Sequence, residues 1–79
     1  MVLRVTVVGP ERPLYDGQAH HVIAPGEAGV FEIWPFHRPL VSRLLPGIIT
    51  VDEQRIPILR GVIKVERNTV TAVVEPEAA

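Results

Sequence analysis

Seventy-nine residues without a cysteine exclude a disulfide-stapled scaffold and a thiolate metal centre, and they leave room for one small domain, expected over 1–79, whose core must be dense. Eight Lys and Arg stand singly against nine Asp and Glu for a net charge of −1, which excludes the clustered positive charge that duplex nucleic acid requires. No apolar run approaches the ~20 residues of a membrane-spanning helix and Met1–Arg4 carries no signal-peptide pattern, so a soluble, cytoplasmic chain is expected.

Alternation with a period of two runs through the sequence. Leu3, Val5 and Val7 share one face of a first strand that ends at the turn residues Gly9-Pro10-Glu11-Arg12-Pro13. A short piece, Leu14-Tyr15, is expected to stop at Asp16-Gly17. Ala19 to Ala24 reads as one strand with His20 and His21 on opposite faces. Pro25 to Gly29 reads as a loop, and Val30 to Trp34 as a strand with Phe31 and Ile33 on one side.

Pro35 and Pro39 exclude a regular central strand between them. Leu40 to Leu45 fits a strand or a single turn. After Pro46-Gly47, Ile48–Val51 and Arg55–Leu59 pair across Asp52-Glu53-Gln54, with Pro57 marking an edge or a bulge. Val62–Glu66 and Thr69–Val74 form the clearest hairpin, turning at Arg67-Asn68. The tail from Glu75 to Ala79 is expected to fray. No window holds a helical period, so the fold class is all-β, a sandwich or barrel, with Val5, Val7, Phe31, Ile33, Ile63, Val65, Val70 and Ala72 facing inward.

The chemical inventory is sparse. Ser42 is the only serine and lacks a nucleophile-elbow context. The carboxylates fall in turns or on outward strand positions, where no acid–base pair converges. Pro25-Gly26-Glu27-Ala28-Gly29 has no Lys-Ser/Thr ending and no following helix, so it is not a phosphate loop. His20, His21 and His37 lack a ligand spacing and are expected to serve hydrogen bonding. No catalytic residue, metal or cofactor is expected. Trp34-Pro35-Phe36-His37-Arg38 supports two readings: Trp34 plugs one end of the sandwich, or the cluster is a contact patch, since Trp and Arg are enriched at binding hot spots and the prolines lower the ordering cost.

The order and spacing of several short pieces carry more information than any one of them. Leu3–Val8, Glu11, Leu14-Tyr15-Asp16-Gly17, Val22-Ile23, Pro25–Gly29, Ile33-Trp34-Pro35 and His37-Arg38-Pro39-Leu40 lead into Leu45-Pro46-Gly47, Gly61–Val65 and Asn68–Thr71. This succession resembles the N-terminal β-sandwich domain of the ε subunit of the rotary F-type ATP synthase (δ in mitochondria), over essentially the whole chain. The resemblance implies a flattened sandwich of about ten short strands at the foot of the γ subunit, on the polar loops of the c-ring. It implies a non-catalytic rotor part that couples ring rotation to γ, held peripherally at the cytoplasmic face of the inner membrane. It implies contacts through Glu27, Ala28, Gly29 and Val30 and through Trp34, Phe36, His37 and Arg38, with Gly9 and Ser42 approaching γ.

Four departures stand out: Phe36 where the family often has Gly, Val30 at the ring-facing acidic position, Arg60-Gly61 for Gly-Gly, and a short Val51–Arg55 connection. Family members usually continue into a helical hairpin that can bind ATP, and a chain ending at Ala79 is expected to be either a natural short form or a truncated piece, without that arm in both cases. The rival reading from another class is a free-standing β-sandwich adaptor that pairs a peptide along an edge strand.

Overall fold

A computed structural model describes residues 1–77, and every regular element in it is a strand. In chain order these are β1 (Leu3–Val8), β2 (Pro13–Ala19), β3 (Val22–Gly26), β4 (Gly29–Ile33), β5 (Leu40–Leu44), β6 (Gly47–Val51), β7 (Gln54–Glu66) and β8 (Thr69–Pro76). They follow one hydrogen-bonded path, β2-β1-β8-β7-β5-β3-β4, and β6 joins β3 to β7. β1 and β8 run parallel, with Val5 opposite Val70, while the other pairings are antiparallel.

The hinge of this arrangement is β7. Its first half pairs with β6 and its second half with β5 and β8, and the β8 register shifts between Ile58 and Arg60. Gly61 lies at the crossing, where a Cβ would stand 2.6 Å from the Val73 carbonyl oxygen, so only glycine admits this approach. The strand thereby passes from one layer to the other without a break. The described residues form eight strands where about ten were implied, and Arg55–Leu59 and Val62–Glu66, read as two strands, are one element.

The period-two pattern fixes which face each strand buries. Leu3, Val5 and Val7 of β1 meet Val70, Ala72 and Val74 of β8 and Ile58, Ile63 and Val65 of β7. Val22, Ala24, Ile33, Leu44, Ile49 and Val51 close the interior from the other strands, and no polar side chain is buried among the described residues. Each fully buried Ile or Leu contributes about 1.5–3 kcal/mol relative to exposure. Phe31 is the exception among the expected core residues: it is only partly buried and packs against the edge of the core. The overall extents are 33 × 26 × 19 Å, the thin axis being what two packed β layers occupy.

Three local expectations are corrected, and the alternative left open at 40–45 is resolved. β2 runs through Asp16-Gly17, because these residues pair with Thr6 and Val5, and Asp16 takes an ion pair from Arg4. Pro25 and Gly26 belong to β3, and the Pro25 carbonyl accepts the Leu45 N–H at 2.8 Å. Leu40–Leu44 is a strand, stabilised by the β7 ladder. Glu75 and Pro76 extend β8, and Glu77 N–H donates to the Pro57 carbonyl at 3.1 Å; Ala78 and Ala79 lie outside the described residues.

Candidate functional site

The irregular segment between β4 and β5 is held by three fixings. Its first is a tight turn in which His37 N–H donates to the Trp34 carbonyl at 3.1 Å, with Pro35 and Phe36 at its centre. Phe36 has φ 70°, the type II arrangement that glycine adopts without strain. The second is Asn68, at the β7–β8 turn, where Arg67 and Asn68 both have positive φ (50° and 60°), as a type I′ hairpin requires. Its side-chain Oδ1 accepts the Phe36 N–H at 2.6 Å, while its carbonyl accepts the Arg4 N–H at 2.8 Å. One residue therefore ties the loop to the start of β1.

The third fixing runs through Trp34. Its indole stacks on His21, with ring centroids 4.8 Å apart and planes 12° from parallel, and its Nε1 donates to Glu32 at 3.2 Å. His21 is itself positioned by Asp52. The strand breaks between β2 and β3, so His20 and His21 do not alternate across a strand as expected but turn to one carboxylate. The Asp52 oxygens accept the His20 N–H at 2.9 and 3.1 Å and the His21 N–H at 3.1 Å, and Asp52 N–H donates back to the His21 carbonyl at 3.1 Å. Both imidazole Nδ1 atoms stand 3.3–3.5 Å from the same group. Burial works to raise the Asp52 pKa, but the backbone donors of His21 and His20, with the His20 side chain, outweigh it and hold the carboxyl below its ordinary range.

This geometry removes one of the two readings of the Trp34 cluster. Trp34 is 53% exposed, so it is not a core plug; it is a surface ring braced from behind by His21. Phe36, at 73%, projects beyond it.

A cleft of about 480 Å³ opens beside the loop. One wall is the β3–β4 hairpin, with Ala28, Gly29, Val30 and Phe31, and the other is His37, Arg38, Pro39, Leu40 and Ser42. Gly26 shapes its floor: a Cβ there would stand 2.6 Å from the Phe31 ring, so the bare backbone lets Phe31 fold against it. Six of the ten expected contact residues thus line one cleft: Ala28, Gly29, Val30, His37, Arg38 and Ser42. Glu27 lies in the adjoining two-residue turn, and Trp34 and Phe36 belong to the loop that bears His37 and Arg38. Gly9 does not join them. It follows the end of β1, about 16 Å along the strand from Arg4 and its Asn68 contact, in a separate cleft with Pro10, Leu14 and Glu75. Sequence reasoning missed Asn68 and Asp52, whose partners lie 32 and 31–32 residues away in the chain; only their turn positions hinted at a role.

Residues 2–77 match the family profile described as ATP synthase, Delta/Epsilon chain, beta-sandwich domain. The chain belongs to this family. Among similar proteins, the δ/ε-family chain is 35% identical to ATP synthase epsilon chain 2 of Burkholderia orbicola and 36% identical to an ATP synthase epsilon chain of Bordetella parapertussis, in each case over 92% of its own length. It spans 52% and 56% of those relatives, about half of each. The fold of the δ/ε domain recurs in solved assemblies. A chain of the Euglena gracilis mitochondrial ATP synthase superposes with a TM-score of 0.83 at 16% identity, covering 92% of this chain and 50% of that one. One from the Tetrahymena thermophila central stalk and c-ring superposes at 0.77 and 18%, covering 92% and 63%.

Proposed function

We propose that this δ/ε-type domain, one module over residues 1–79, is a non-catalytic part of the rotor of an F-type ATP synthase. It seats on the γ subunit and on the c-ring, and it passes ring rotation to γ, coupling ion transport to ATP synthesis or hydrolysis. Its place is peripheral, at the cytoplasmic face of the inner membrane, held by the complex. The observation that carries this reading is the convergence of Ala28–Val30, His37, Arg38 and Ser42 on one cleft, within a chain of this family. A torque-bearing contact needs a surface that does not reorganise under load. The loop is fixed by Asn68, by the Trp34–His21 stack and, through His21, by Asp52. Such pre-organisation lowers the ordering cost of association.

The test is co-expression of the chain with the γ subunit of its own complex. Stable co-purification, lost on replacing Phe36 with Gly and Arg38 with Ala, is the expected result. A chain that elutes alone under every condition would overturn the reading and favour an adaptor that works through the open edges of β2 or β4.

A further inference from the structure

The polar groups of the Val30–Arg38 cleft are unequal in kind. Arg38 is exposed and makes no ion pair among the described residues, in contrast to Arg4, Arg60 and Lys64, which each hold a carboxylate. No Asp or Glu lines the cleft. The other two polar side chains have spent their donors. The carbonyl of Arg38 can only accept, so His37 Nδ1, 2.7 Å away, carries the proton and donates, and in the neutral ring Nε2 is left as an acceptor. Ser42 Oγ donates to the Arg43 carbonyl at 2.9 Å, which leaves its lone pairs open. The cleft therefore presents one cation, two acceptors and an apolar wall of Val30, Phe31 and Leu40.

A phosphate or sulfate fits this set poorly, since it leaves the apolar wall of Val30, Phe31 and Leu40 without a partner. A peptide segment fits it, because it supplies a carboxylate, backbone N–H donors and an aliphatic side chain together. We infer that this cleft receives an acidic segment of a protein partner, an Asp or Glu beside an aliphatic residue, with the carboxylate on Arg38, backbone N–H groups toward His37 Nε2 and Ser42 Oγ, and the aliphatic side chain against Val30 and Phe31. The inference rests on the reading of this end of the sandwich as the partner-facing one, and it names the chemistry that the partner brings there.

The test is an amide chemical-shift titration of the 79-residue chain with a capped pentapeptide whose central glutamate is flanked by leucine and valine, beside its glutamine counterpart and inorganic phosphate. Shifts confined to the amides of 26–31 and 36–42 are expected. An exposed Arg–carboxylate pair makes the glutamine peptide about two- to fivefold weaker. Arg38→Gln should erase that difference while leaving the spectrum otherwise folded, and Val30→Glu should weaken the glutamate peptide by a like factor. Equal binding of both peptides, phosphate saturating the same amides, or shifts elsewhere on the sandwich would each overturn the inference. Peptide binding that fails while co-purification with γ persists would sink this inference alone; loss of co-purification would sink the functional reading.

Discussion

Replacing Asp52 tests whether the Trp34–Arg38 loop is braced from within the fold. Asp52→Ala removes the acceptor of two backbone donors, His20 N–H and His21 N–H. Each orphaned donor costs roughly 1 kcal/mol, less at exposed His20, where water substitutes, than at half-buried His21. Alanine must also adopt φ near the 52° of Asp52, in the left-handed region, at a cost of about 1 kcal/mol. The sum is about 2–3 kcal/mol, a large fraction of the stability of so small a domain. Asp52→Asn keeps the tolerated φ and one acceptor oxygen and loses only the charge, so about 1 kcal/mol is expected. The carboxyl pKa is depressed in the folded state, so its contribution is fully present above the unfolded value near 4. It is lost as pH falls through the lower folded value. Urea unfolding at pH 7 and in acid measures this directly: the gap between wild type and Asp52→Asn should close in acid. A cost for Asp52→Ala below about 0.5 kcal/mol, the level of an ordinary surface change, or an Asn gap that persists in acid, would refute the bracing.

Three further outcomes are expected. Ile63→Ala, at a fully buried site on β7, should cost about 2–5 kcal/mol in urea unfolding. Asn68→Gly keeps the type I′ turn but removes the acceptor of the Phe36 N–H; amide exchange at Phe36 should accelerate while exchange in β1 and β8 stays slow. Phe36→Gly with Arg38→Ala should leave thermal stability nearly unchanged, since both side chains are exposed and glycine suits φ 70°. Assembly with γ should weaken by more than about 2 kcal/mol, the hot-spot threshold, when measured by titration of γ.

The strands that alternate cleanly were legible in the sequence. β1 and the β7–β8 hairpin show this best, because Leu3, Val5, Val7, Ile63 and Val65 can only share a face at period two. The all-β class and the grouping of Glu27–Val30 with the Trp34–Arg38 loop were likewise accessible, the latter through the family resemblance. What escaped was set by distant partners. Asp16-Gly17 reads as a turn until β1 pairs with it, and Pro25 reads as a break until the Leu45 N–H finds its carbonyl. His20 and His21 read as strand neighbours, and nothing local shows that Asp52 draws both to one side. Phe31 was expected inside, but the bare Gly26 backbone lets its ring lie at the rim of the cleft.

Whether one end of this sandwich seats on the rotor, as proposed, can be read from hydrogen–deuterium exchange of the chain alone and bound to γ and the c-ring. Protection on binding should concentrate in the backbone of 27–31 and 34–42, around Arg38 and Ser42. Protection confined to the β2 or β4 edge, with 34–42 exchanging as in the free chain, would contradict it.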